Sequence, residues 1–222
     1  MPDHAPGRFR FVVFDWDGTL ADSTALITRA IQAACRDVGE PVPDDATARY
    51  VIGLGLADML RHIAPGLAPG RHGDLTARYR HHYLAGDASI PLFAGVPEML
   101  DELEAAGCLL GVATGKSRVG LNRAFEQQGI GHRFVATRCA DEGFPKPNPD
   151  MLLHLMDRVG ADPRETLMIG DTTHDVELAR NAGVAAVAVS YGAHPSAGLA
   201  RLDPLALVHS VAELRQWLRA IA

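Results

Sequence analysis

The chain is poor in lysine. Of its 21 cationic residues, only Lys116 and Lys146 are lysines and the rest are arginine. Lysine and arginine are not interchangeable, so a chain biased this way keeps lysine where a compact ammonium is needed. Cysteine is equally scarce. Cys35, Cys108 and Cys139 are scattered, which excludes a disulfide framework and a cysteine metal cluster. They read as small buried apolar residues in a reducing compartment, and the expected location is cytoplasmic. No apolar run approaches the length of a membrane span. Met1 to Arg10 has no apolar core, so no secretory signal is expected there. There is no basic block and the net charge is -6, which argues against nucleic acid as a partner. Internal repeats and low-complexity segments are absent too.

What is present is the pattern of an α/β protein. A length of 222 residues suits one large domain, or a core with an insertion, and can bury a sizeable core. Phe9 to Phe14 reads as a first strand. A helix capped by Asp22 or Ser23 runs to Val38 and stops at Gly39. From Asp22 to Pro91 short helical stretches are broken by prolines and glycines, with no strong strand pattern. This predicts a small helical insertion. Beyond Gly95 strands and helices alternate. Strands are expected at Cys108–Ala113, His132–Ala136, Thr166–Ile169, Val184–Val189 and Leu205–Val208. Helices follow most of them, the last opened by a Ser210/Glu213 capping box. The expected fold is a parallel sheet with helices on both faces. The expected division is a core of residues 1–21 and 92–222, and a helical unit of residues 22–91.

The first strand ends in Asp15-Trp16-Asp17-Gly18-Thr19. Residues two apart in extended backbone point the same way, so Asp15 and Asp17 can converge. Two converging carboxylates need a cation, a shared proton or solvent to offset their repulsion. The plain alternative is an acidic turn. Two later strands also end in polar residues, at Thr114-Gly115 and at Gly170-Asp171. In a parallel sheet these ends share one edge, where ligands bind. Lys146 lies in Phe144-Pro145-Lys146-Pro147-Asn148-Pro149, where prolines on both sides hold the backbone. An oxygen-rich acidic cluster without histidine or cysteine suits a hard cation such as Mg²⁺. The Thr114 hydroxyl, the Gly115 N–H and the Lys146 ammonium suit three oxygens of a phosphoryl group.

These residues, in this order and on these elements, resemble the four motifs of the haloacid dehalogenase-like hydrolase superfamily. Each motif alone is weak, but the set spans nearly the whole chain. Asp17-Gly18-Thr19-Leu20-Ala21-Asp22-Ser23, Lys146-Pro147-Asn148-Pro149-Asp150 and Tyr191-Gly192 are similar to the phosphoglycolate phosphatase-like branch, as is an insertion directly after the first motif. The resemblance implies a Rossmann-like parallel sheet flanked by helices, with a helical cap. It implies an Mg²⁺-dependent phosphatase for a small phosphate monoester, phosphoglycolate-like, acting through an aspartyl-phosphate. Asp15 is then the nucleophile and Asp17 the acid and base. Mg²⁺ lies on the Asp15 carboxylate, the Asp17 backbone carbonyl, Asp171 and waters. Thr114, Gly115 and Lys146 hold the phosphoryl group, and Lys146 screens Asp15 from Asp171. Asp175 orients a metal-bound water or its neighbours.

Some residues keep plainer readings. Asp171 and Asp175 alone could be a helix cap and an exposed helical carboxylate. His174 reads as a solvent-facing helix residue, and Trp16 as packing. Lys116 sits at a helix start, where a cation is disfavoured, and is a candidate phosphate contact. Arg78, Arg80, His81 and His82 read as a solvated face or a site for an acidic leaving group. Arg49 and the Gly53-x-Gly55 turn are further candidates for substrate approach. Asp17 argues against the dehalogenase branch. A missing cap lysine disfavours a phosphonate-cleaving enzyme, and a missing histidine in the first helix a sugar phosphomutase. Pyrophosphatase or nucleotidase activity stays open, as does a non-catalytic phosphate-binding regulator. The expected partner is a small phosphorylated metabolite, bound by a monomer or homodimer.

Overall fold

The computed structural model describes residues 9–221, so most of the Met1–Arg10 stretch lies outside the described residues. Six strands form one sheet: β1 Phe11–Phe14, β2 Leu109–Thr114, β3 Phe134–Cys139, β4 Thr166–Gly170, β5 Ala185–Val189 and β6 Ala206–Val208. Their order across the sheet is β3-β2-β1-β4-β5-β6 and every pairing is parallel. β1 is central and fully buried, as a strand covered on both faces must be. It pairs Phe14 with Val112 of β2 and with Ile169 of β4, so the residues just beyond these three strands emerge side by side.

Among the described residues ten α-helices accompany the sheet: α1 Thr24–Val38, α2 Asp45–Tyr50, α3 Leu56–Ile63, α4 His72–Leu84, α5 Val96–Ala105, α6 Arg118–Gln128, α7 Asp150–Val159, α8 Thr173–Ala182, α9 Ser196–Ala200 and α10 Val211–Arg219. Two apolar clusters cover the two faces of the sheet. One gathers Phe14, Leu110 and Val112 with Met99, Leu100 and Leu214, and the other gathers Phe11, Val13 and Met168 with Leu152, Leu155 and Leu178. A third cluster lies apart, built from Ile27, Ile31, Ala48, Met59, Leu60 and Leu75 of α1 to α4. The segment between β1 and α5 therefore folds as helices around its own apolar centre.

Several local expectations are corrected. Ser23 precedes α1, but its side chain accepts no cap bond, and its hydroxyl donates to Asp17. Residues 131–133 form a 3₁₀ turn, and the strand expected at His132–Ala136 starts only at Phe134. α6 starts at Arg118 because Ser117 accepts from the Gly120 N–H, which leaves Lys116 in the loop before it. At α10 Ser210 caps the Glu213 N–H, but the Glu213 carboxylate turns to the His209 N–H, so the box is half formed. The helix stops at Gly39, Gly160 and Gly183 all take the left-handed conformation expected past a helix end.

Candidate active site

At the C-terminal edge of the sheet Asp15, Thr114 and Asp171 are all fully buried. Lys146 arrives from the loop before α7 and is 1% exposed. Its Nζ lies 2.9 Å from Asp15 Oδ1 and 2.7 Å from Asp175 Oδ1. The expected screen between Asp15 and Asp171 is therefore a bridge from Asp15 to Asp175. The second Asp175 oxygen accepts from the Thr172 N–H at 3.0 Å and its hydroxyl at 2.6 Å. Thr172 caps α8, so one capping box fixes Asp175 and, through it, Lys146. Asp171 is not the cap. Its Oδ1 accepts from the Thr19 hydroxyl and its Oδ2 from the Ala193 N–H, both at 2.7 Å. Gly18 and Gly192 crowd the same carboxylate. A Cβ on either would stand 2.2 Å from Asp171 Oδ2, and Gly18 also has φ +79°.

Asp15 is the exception to this saturation. Its Oδ1 accepts from the Trp16 N–H at 2.6 Å and from Lys146, but its Oδ2 is buried without a partner. Buried polar atoms are normally satisfied, so an orphan oxygen here points to a group that binds. Ligand atoms of Asp15, Asp171 and Asp175 lie within 4.8 Å of one another. Three carboxylates against one ammonium leave two negative charges uncompensated in a dry site, which a divalent cation would neutralise. Burial is the main cause that holds Asp15 well above the usual carboxylate range, its neighbouring carboxylates adding to it against Lys146. Asp171 is pushed up to about 7, by burial first and then by Asp175. The donor set, all oxygen, fits Mg²⁺.

Asp17 faces away from this carboxylate group. Its Oδ1 accepts from Ser23 Oγ at 2.7 Å and lies 3.0 Å from Lys116 Nζ. Lys116 donates to the Tyr83 hydroxyl at 2.8 Å, and its ammonium stands 4.9 Å from the Tyr83 ring centre. Burial pulls the Lys116 ammonium down, but Asp17 and Tyr83 hold it above the ordinary lysine range overall. Both lysines thus sit on the two motif aspartates. The Thr114 hydroxyl accepts from the Lys116 N–H at 3.2 Å, and among the described residues its own proton has no acceptor, which leaves it for a ligand.

The helical segment closes over the edge. A Cβ on Gly115 would meet the Gly53 and Leu54 carbonyl oxygens at 2.6 and 2.7 Å. Gly53, at φ +90°, brings its own backbone near Thr172 and Asp15. Arg49 reaches the Gly192 carbonyl at 3.4 Å, and Asp87 pairs with Arg123 of α6 at 2.6 Å. His174 is not solvent-facing. It is 4% exposed, and its Nε2 and that of His194 both donate to the Tyr50 carbonyl, at 2.9 and 3.0 Å. Tyr50 stacks on His194, which explains why a helix face next to the motif is aromatic. Trp16 packs edge-on against Phe125. Arg78 and His82 both pair with Asp37 at the surface, which pulls that carboxylate down.

Sequence reasoning missed Tyr83, Thr172 and His194, and placed Ser23 as a helix cap and in the first motif rather than on Asp17. Thr172 carried a readable signal, since a hydroxyl three residues before Asp175 is a capping pattern.

Known proteins share this chain's sequence and shape. Residues 12–189 match the family model for haloacid dehalogenase-like hydrolases. The chain is 35% identical over 210 residues to the probable phosphatase IndB of Dickeya dadantii (strain 3937), covering 91% of this chain and 90% of that one. It is 33% identical over 218 residues to a phosphoglycolate phosphatase of Vibrio vulnificus (strain CMCP6), covering 93% and 95%. A solved haloacid dehalogenase-like family hydrolase from Streptococcus pneumoniae superposes with a TM-score of 0.82 at 26% identity, over 95% of this chain and 98% of that one.

Proposed function

The chain belongs to the haloacid dehalogenase-like hydrolase family, and from that premise we propose that it is an Mg²⁺-dependent phosphatase. It hydrolyses a small-metabolite phosphate monoester through an aspartyl-phosphate at Asp15. The observation that carries this reading is the orphan Asp15 Oδ2, buried beside a lysine that occupies the other oxygen. The division of labour follows from the neighbours of each residue. Asp15 Oδ2 attacks phosphorus while Lys146 and the Trp16 N–H hold Oδ1. The Thr114 hydroxyl, the Gly115 N–H and Lys146 take the phosphoryl oxygens. Asp17 gives a proton to the leaving oxygen and then takes one from the attacking water, with Ser23 and Lys116 fixing its Oδ1 so that Oδ2 does this work. Mg²⁺ would be held by Asp15, the Asp17 backbone carbonyl and Asp171. When bound it offsets the charge that otherwise keeps a carboxylate from a phosphate dianion. Asp175 keeps Lys146 in position.

The core in this reading is residues 1–21 and 92–222, and residues 22–91 are the cap that shields the reaction from water. The protein works in the cytoplasm, as a monomer or homodimer. Among the described residues no helix is long and apolar enough to cross a membrane. The test is release of phosphate from an aryl phosphate by purified protein, with Mg²⁺ or with chelator, beside Asp15→Asn. Turnover that needs both Mg²⁺ and Asp15 is expected. Equal release by the variant would overturn the proposal.

A further inference from the structure

A cavity of about 430 Å³ opens between cap and core directly beside the acid/base group, with Asp17, Gly115 and Lys116 in its wall. Ligand pockets of this size hold molecules of many atoms. Glycolate has five non-hydrogen atoms. Even at the liquid share of a water molecule for each, about 30 Å³, it fills only about a third of the space.

The lining is as informative as the size. Ile27, Val51, Leu56 and Met59 of the cap form an apolar wall. Leu84 of the cap and Val119 of the core also line the cavity, yet they are 45% and 72% exposed. Apolar side chains left open across a cleft mark a surface that a ligand covers. Tyr79 and Tyr83, also in the lining, lie 5.9 Å apart with their rings tilted by 26°. Among the described residues the Tyr79 hydroxyl has no hydrogen bond, and Tyr83 accepts from Lys116, so both phenols keep a proton to donate. Three cations border the cavity, and two are already spent: Lys116 on Asp17 and Arg123 on Asp87. Arg80 alone has no carboxylate partner among the described residues, and a guanidinium stacks readily on a planar ring.

Resting on the phosphatase reading above, we propose that the alcohol released is bulky and ring-bearing, seated between Tyr79, Tyr83 and Val119, rather than a two-carbon hydroxy acid. The alcohol oxygen receives the Asp17 proton as its bond to phosphorus breaks, and the phosphoryl group passes to Asp15 and then to water. The ring adds contact area that a small acid cannot supply, so the preference appears in KM.

The test compares phosphate esters of primary alcohols, so that leaving-group reactivity stays nearly constant: ethyl phosphate, phosphoglycolate, 2-phenylethyl phosphate and a nucleoside 5′-monophosphate. At least one ring-bearing ester is expected to exceed both phosphoglycolate and ethyl phosphate by tenfold or more in kcat/KM. Tyr79→Ala should remove most of that advantage and leave ethyl phosphate within about twofold. Val119→Ser, at an exposed position that cannot unfold the core, should raise KM for the ring-bearing ester alone. Phosphoglycolate as the best substrate, or variants that slow every ester equally, would overturn this inference and leave the phosphatase standing. No Mg²⁺-dependent turnover of any ester would overturn both.

Discussion

Replacing Lys146 by methionine tests the charge balance of the site without asking for turnover. The side chain keeps its length and loses its ammonium, which lies between Asp15 and Asp175 at 2.9 and 2.7 Å and is sealed from water. Three carboxylates then share one buried space with no protein cation among them. Removing one partner of a buried ion pair costs about 3–5 kcal/mol, because the charge left behind is uncompensated. For a chain of this size each kcal/mol lowers Tm by about 2–4 °C, so the loss in chelator is roughly 6–20 °C.

Two controls separate this from a simple packing defect. Mg²⁺ should narrow the gap, because without the ammonium the three carboxylates bind it more tightly, and each tenfold difference in Kd returns about 1.4 kcal/mol more to the variant than to wild type at saturating cation. Acid should narrow it too. Asp15 and Asp171 already stand above their unfolded-state values, burial being the first cause and their like-charged neighbours adding. A carboxylate raised on folding binds its proton more tightly in the folded state, so stability rises as pH falls through the folded value. For Asp171 that value is about 7. Without Lys146 the same carboxylates move higher, and the gap between variant and wild type should shrink from pH 8 towards pH 6. Thermal melts by circular dichroism, with chelator and with Mg²⁺, read all of this. A variant within about 2 °C of wild type in chelator at pH 8, or a gap widened by Mg²⁺, would refute the reasoning.

Gly115→Ala places a Cβ 2.6–2.8 Å from the Gly53 and Leu54 backbone, which cannot yield as a side chain can. The cap should fail to seat, with kcat/KM down at least tenfold and Tm lowered less than by Lys146→Met. Lys116→Met leaves Asp17 Oδ1 to Ser23 alone and should lower kcat at least tenfold. Tyr83→Phe, which removes only the oxygen that accepts from Lys116, should lower it less than fivefold, and the reverse ranking would contradict the pairing. Burial, with their mutual repulsion adding at His194, holds the His174 and His194 imidazoles below the ordinary value. The unfolded chain then binds more protons, and stability falls as pH drops below about 6.5. The double variant His174→Gln/His194→Gln keeps a donor for the Tyr50 carbonyl and cannot titrate. Melts from pH 7 to pH 5 should show it losing less stability than wild type.

The strand edge was legible because its chemistry is local. An apolar run that stops in Asp15-Trp16-Asp17, or in Gly170-Asp171, announces both a buried strand and the polar residues at its end, and parallel pairing does the rest. The scarcity of lysine pointed to Lys146 for a related reason. An ammonium tolerates full burial only among carboxylates, and this one has two. Residues that join the helical segment to the sheet edge gave no such signal. Lys116 and Tyr83 are 33 positions apart, and His174 and Tyr50 are 124 apart. Helical periodicity describes what a helix buries against its own layer. It says nothing of a second body docking on the exposed side, so His174 read as a solvent residue when its outward face is the seat for Tyr50. The same blindness hid the partner of Asp17. Its spacing from Asp15 foretold two aspartates facing one point, but each has its own lysine, and only Lys116 answers to the cap. Asp15 is thus held by Lys146 and the Trp16 N–H, while Asp17 is held by a cation whose other contact is Tyr83 of the helical segment. In the phosphatase proposed above, the helical segment therefore couples to the proton-moving group through Lys116 and Tyr83.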